Sequence, residues 1–353
     1  MNKYIYKLIS EQFNIGNMNL NDTVKRNKNI FNKVTYDPIN VFNDIYNGKH
    51  ISQDVIEFMN GLVSVVSIND DNRLYLPRVI TFYTENYPED SLNWLDVSSL
   101  TDFTKLFMFS RYNGDISQWN LSRVKTTIGM FFSSEFNGDI SNWNVSNVVN
   151  MYRMFDGSKF TGDISRWNVS NVQNMSYMFN QSVFNGDISR WDVSGVLNME
   201  CMFSNSAFNN DISCWDVSSV TNMSQMFWQS NFNGDISDWN VSNVSSMRAM
   251  FNHSIFNGDI SRWDVSGVKN MHGMFYESKF NGDISEWVVS NVRNMNAMFC
   301  KSKFNGDISG WDVSGVKEMN LMFSETVFNH DISMWPVANV QLYDNIFKDC
   351  SIQ

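Results

Sequence analysis

The chain has 353 residues, is 43% apolar and carries a formal net charge of −11, with 26 Lys and Arg against 37 Asp and Glu. That balance excludes the basic footprint of a nucleic-acid binder, and the apolar content suffices for a folded chain with a large core. No run approaches 18 apolar residues, which excludes a membrane-spanning helix, and Lys7 and Glu11 interrupt the N-terminal MNKYIYKLISEQFNIG before it can serve as a signal-peptide core.

Residues 1–91 carry no repeat and form a small N-terminal unit, expected to be mainly helical and to act as a cap or an interaction domain. Asp37 and Pro38 read as an N-cap followed by a first-turn proline, opening an amphipathic run INVFNDIYNG that Gly48 stops. A second helix is expected to start near Ser52 and to run through Val55, Ile56, Met59 and Leu62. The segment from Leu74 to Tyr83 alternates enough to predict an extended lead into the repeats.

From residue 92 onward the chain is a repeat. Tryptophans stand at Trp119, Trp143, Trp167, Trp191, Trp215, Trp239, Trp263, Trp287, Trp311 and Trp335, always 24 apart. Numbered from its isoleucine, the unit reads I-S-x-W-[DN]-V-S-x-V-x-N-M-x-x-M-F-x-x-S-x-F-N-G-D. A degenerate unit upstream, with Leu92, Leu95, Val97 and Leu100, brings the total to about eleven coils. The stretch I-S-x-W-[DN]-V-S-x-V predicts a short strand. The three-and-four spacing of Val172, Met175, Met178 and Phe179 predicts about two helical turns opposite it. Phe184, Asn185 and Gly186 read as the return turn, with Gly186 supplying a left-handed conformation. A lone coil cannot offset the entropy of ordering its own backbone, so the unit must stack. The expected fold is therefore an α/β repeat: a right-handed parallel β-α solenoid over 92–353. Pro336 in the last strand, Val-Ala in place of Val-Ser, and Tyr343 and Ile346 in place of the two methionines mark a C-terminal cap from about 336.

Ten of the acids are one unit position, from Asp115 to Asp331, so the acidity is a by-product of a turn. A calcium row is the competing reading, but calcium needs six to eight oxygens and each unit offers one repeated carboxylate beside a serine. The serine rows lack a base, because His50, His253, His272 and His330 share no unit position. Cys201, Cys214, Cys300 and Cys350 form no C-x-x-C pair, which argues against zinc or a disulfide framework and for a reducing compartment. No enzyme, cofactor or metal is expected. N-x-S sequons written into the coils, such as Asn144-Val-Ser, argue against a eukaryotic secretory route.

Binding is sought where the unit leaves the residue free. The third strand position is expected to face outward, and reads Trp94, Gln118, Asn142, Arg166, Arg190, Cys214, Asp238, Arg262, Glu286 and Gly310. Three aromatics, Phe132, Trp228 and Tyr276, share one outward position on the opposite side. Exposed Trp, Tyr and Arg are the usual interface anchors. The partner-binding set is thus Arg166, Arg190, Asp238, Arg262 and Glu286 on the strand face, with Trp228 and Tyr276 as the rival surface.

The spacing I-x-x-W-x-V-x-x-V superimposes on the leucine-rich-repeat pattern, and the fuller phrase W-[DN]-V-S-x-V-x-N-M-x-x-M-F…F-N-G-D-I-S resembles the BspA-like surface-protein repeats over residues 92–353. Such repeats occur in mycoplasma-type lipoproteins, other bacteria, some protists and large DNA viruses. The resemblance implies a leucine-rich-repeat-like solenoid used for binding or adhesion without enzymatic activity. Residues and resemblance together lead to the expectation of an intracellular, monomeric protein-binding scaffold, with a calcium-binding or carbohydrate-binding solenoid or a surface adhesin as alternatives.

Overall fold

The computed structural model describes residues 38–68, 76–342 and 345–350. The N-terminal readings at Asp37, residues 1–16 and Leu74 lie outside them, as does the reading at Tyr343. Helix α1 (Pro38–Tyr46) and helix α2 (Gln53–Asn60) fall where the amphipathic runs place them, with Gly48 at φ +71° behind the first and Ser52 at the N-cap of the second. The expected extended segment is instead helix α3 (Leu76–Asn86). Leu76, Val79, Ile80 and Tyr83 recur at intervals of three, four and seven, and all four are buried, so the helical period wins over the weak alternation.

Strand β1 (Val66–Ser67) pairs in parallel with β2 (Leu95–Asp96), which places the N-terminal unit on the edge of the first coil. Val41, Phe42, Met59 and Tyr83 join one continuous core with Leu92 and Trp94. Trp94, expected to face outward, is fully buried. Its ring lies 6.3 Å from Phe42 and 6.2 Å from Tyr83, because the first coil has the helical unit and not another coil against it.

Beyond β2 the chain repeats a 24-residue coil built from turns. The expected strand and helix are both absent from the repeat among the described residues; each coil step carries a single-residue parallel bridge, running from Asp102 to Thr126 and on to Leu342. In one representative coil, Trp167 N–H donates to Ile164 O and Val172 N–H to Val169 O, which closes two turns where the strand was expected. Met178 N–H then donates to Met175 O and Ser182 N–H to Phe179 O, closing two more where the helix was expected. The third residues of that second pair, Tyr177 and Gln181, have φ of +60° and +52° while their predecessors do not, which is the geometry of type II turns. Left-handed backbone recurs at unit positions 14 and 18 in all eleven coils, and an α-helix cannot contain it.

This geometry frees the alternate amides of that segment to reach the next coil. Met151, Arg153, Phe155 and Gly157 donate to the carbonyls of Asn174, Ser176, Met178 and Asn180. Inside, the expected core positions are all occupied. The isoleucine, tryptophan, both valines, both methionines and both phenylalanines of the unit are buried in the interior coils. The phenylalanines form columns: Phe155, Phe179 and Phe203 stack at 5.7 and 5.9 Å with interplanar angles of 2° and 3°. Each indole Nε1 from Trp119 to Trp335 donates to the first-position carbonyl of the preceding coil, as Trp239 does to Ile212 O at 3.1 Å.

The turns account for three smaller features. Gly186 is not left-handed; a Cβ there would lie 2.7 Å from the Phe184 ring, so glycine is present for close packing. Pro336 precedes a 3-10 helix, Val337–Asn339, not a strand. The aspartate row is structural as expected: each carboxylate from Asp115 to Asp331 accepts the backbone N–H two residues on, as Asp235 does from Ser237 at 2.9 Å. That backbone bond holds nine of the ten, Asp139 to Asp331, below the usual carboxylate pKa.

Candidate functional site

The residues predicted for binding fall into two separate places. Arg166, Arg190, Asp238, Arg262 and Glu286 are all exposed and lie on the turn between isoleucine and tryptophan. They form a row along the stack, one per coil. Arg262 and Asp238 meet at 4.0 Å across one coil step, with side chains 79% and 84% exposed, so solvent screens the pair strongly. Trp228 and Tyr276 lie on the type II turns at unit position 17, half-buried, with Asn252 between them at the same position.

On that turn face the variable positions 14, 17 and 18 enclose a groove of about 320 Å³. Its lining consists of Phe132, Ser133, Arg153, Asp156, Gly157, Tyr177, Asn180, Gln181, Cys201, Ser204, Gln225 and Trp228. The groove exists because position 17 shrinks. Phe132 and Trp228 stand at its ends, and Asp156, Asn180 and Ser204 take the same position in the three coils between them. Four coil steps at β-spacing of about 4.8 Å give a length of roughly 19 Å.

Arg153 anchors one end of this groove. Its guanidinium sits 4.7 Å from the Tyr177 ring centre, 5.3 Å from Tyr152 and 5.7 Å from Phe132, so three rings fix it. Its Nε lies 3.6 Å from Asp156 Oδ2. The Asp156 side chain is only 5% exposed, and burial raises its pKa against the opposing pull of Asn180 and Arg153. Asn180 Nδ2 donates to Asp156 Oδ1 at 2.8 Å. Further along, the Cys201 thiol, pushed up to about 11 by burial, donates to Gln225 Oε1 at 3.2 Å. Burial likewise raises the Tyr177 phenol. The groove therefore sets one basic and one acidic side chain beside each other among uncharged polar groups.

A second concavity of about 470 Å³ lies at the last coil, lined by Met319, Phe328, His330, Trp335, Ile346 and Phe347 among others. Most of its walls are unit positions that are core in the interior coils, so it is an end of the stack and not a surface written by variable residues.

The sequence shows a family as well as a repeat. The family described as "Mycoplasma protein of unknown function, DUF285" matches residues 80–183, 134–229, 157–255, 204–303 and 277–352, overlapping segments that together cover most of the chain. The chain belongs to this family. No curated protein and no solved structure matches it. As a DUF285 repeat protein it contains, among the described residues, no helix long and apolar enough to cross a membrane and no cluster of three or more His, Cys, Asp or Glu placed to hold a metal ion. Its four cysteines are free.

Within the DUF285 coils, sequence reading found the Phe132 and Trp228 end walls but not the floor between them. Arg153, Asp156, Tyr177 and Gln225 fall on positions that a helical reading distributes around a cylinder. The available signal was at position 17, where two aromatics bracket three small polar residues.

Proposed function

We propose that the chain is a non-enzymatic binding scaffold that presents its type II turn face to a ligand, with the surface from Phe132 to Trp228 as the contact region. The observation that carries this reading is the groove, since it is made of the unit positions that the core does not dictate. A non-enzymatic role is supported by the aspartates: the ten share one backbone-bonded environment, which supplies no carboxylate pair with separated acidities. We also infer that the stack winds as a right-handed solenoid of the leucine-rich-repeat and BspA-like kind; the parallel bridge at every coil step and the right-handed preference of parallel connections support it.

A protein partner along the row of Arg166, Arg190, Asp238, Arg262 and Glu286 is the second reading, favoured by its unbroken exposure and changing charge. Affinity capture from the native cell separates the two. Trp228→Ser removes one groove wall while matching Ser204, which holds the same unit position in the preceding coil. Loss of the captured set with Trp228→Ser, and its retention when Arg166, Arg190 and Arg262 become Glu, supports the turn face. The reverse result transfers the function to the arginine row.

A further inference from the structure

We propose that the groove between Phe132 and Trp228 binds a neutral oligosaccharide of about four sugar units, each unit advancing by roughly one coil spacing. The inference rests on the turn face being the binding surface. Three observations narrow the ligand class.

The first is that the groove floor offers no free backbone N–H for pairing. The N–H groups of Arg153, Asp156, Gly157, Tyr177, Asn180 and Gln181 all donate to carbonyls of the same or the next coil. A peptide strand cannot be added there, because strand addition needs unpaired main-chain donors and acceptors. Recognition has to run on side chains.

The second is charge. Arg153 and Asp156 are the charged residues of the lining, and they lie 3.6 Å apart as a mutual pair with Asn180 bonded to the carboxylate. The two charges offset each other, so a ligand of either sign meets a like-signed group about as close as an opposite one and gains little from the pair. A neutral ligand leaves it intact.

The third is the mixture of groups. The amides of Gln181 and Gln225 and the hydroxyls of Ser133 and Ser204 line the same 320 Å³ as the Phe132 and Trp228 rings. Gln181 makes no side-chain hydrogen bond among the described residues. Amides donate and accept at once, as sugar hydroxyls do, and an aromatic ring covers the apolar C–H face of a pyranose while its hydroxyl rim stays on the polar side.

The test is calorimetric titration of the full chain with chitotetraose, cellotetraose, mannotetraose and maltotetraose. At least one is expected to bind with a Kd below about 1 mM, and Trp228→Ser is expected to weaken it about tenfold or more. Tyr276→Ser, at the same unit position but outside the groove, should leave binding unchanged. Circular dichroism of both variants checks that the coils are intact. The proposal is overturned if none of the four tetrasaccharides binds the folded wild type at 10 mM, roughly ten times that limit, or if Trp228→Ser binds as wild type does. Capture of a partner that depends on Trp228 in the absence of any glycan binding would leave the turn-face reading standing and remove this one alone.

Discussion

Gln229 and Ala297 hold φ of +51° and +53° at unit positions 18 and 14, and replacing each by glycine tests the turn architecture by the sign of the effect. Left-handed backbone costs a residue with a Cβ roughly 1–2 kcal/mol, and glycine removes that cost. Against it stands the extra freedom glycine has in the unfolded chain, roughly 0.5–1 kcal/mol. Gln229 is exposed and its backbone N–H still donates to Asn252 O in the variant, so little else changes. The net expectation is a gain of about 0–1.5 kcal/mol for each substitution. A helix at these positions would give the opposite sign, a loss of about 1 kcal/mol per glycine. Urea denaturation followed by tryptophan emission reads the difference as a shift of the midpoint at unchanged slope. Two glycine variants that both unfold at lower urea would refute the type II turns. Ala297→Val supplies the control, because a β-branched side chain in left-handed backbone must destabilise.

Trp239→Phe deletes the indole donor to Ile212 O while keeping a ring in the column; the carbonyl retains its bond from Trp215 N–H, so a loss of about 2–3 kcal/mol is expected from the missing bond and the missing ring volume, measured by the same denaturation. Asp235→Asn should melt slightly below wild type and Asp235→Ala lower still, because an amide oxygen keeps the acceptor, as Asn168 and Asp192 make the same bond at one unit position, but loses the charge that strengthens it. With the aspartate row held below its unfolded pKa of 3.8, its contribution is fully present above that value and is lost as pH falls through the lower folded values, so thermal melts should weaken below about pH 4 and not between pH 5 and 8.

Much of the fold was legible in the sequence and the error was specific. The period, the eleven coils and the buried positions can be read from the tryptophans and the phrase around them. The helix could not be refuted by periodicity, since consecutive turns that each turn one methionine or phenylalanine inward produce the same three-and-four spacing. What distinguishes the two lies at positions 14 and 18. Those twenty-two residues include Arg153, Tyr177, Gln181 and Glu277 but no Val, Ile or Thr, although Val183, Ile255 and Val327 occur two residues on from position 18. A helix surface tolerates β-branched residues, whereas left-handed backbone rejects them. The groove was hidden for the same reason, because its floor is built on those two positions. Trp94 was misplaced for a different one: it has the form of a coil residue but a helical neighbour, and only the tertiary contact with Phe42 and Tyr83 turns it inward.

Because the hydrogen bonds of a coil pass only to its immediate neighbours, a coil can be removed or inserted whole and the two faces brought together already match. Applied between Phe132 and Trp228, such an edit changes the distance between the two end walls by one step and leaves the walls themselves untouched. The groove is in this sense a ruler graduated in units of 24 residues, on which the length of what fits is an integer that duplication or deletion of one unit can change.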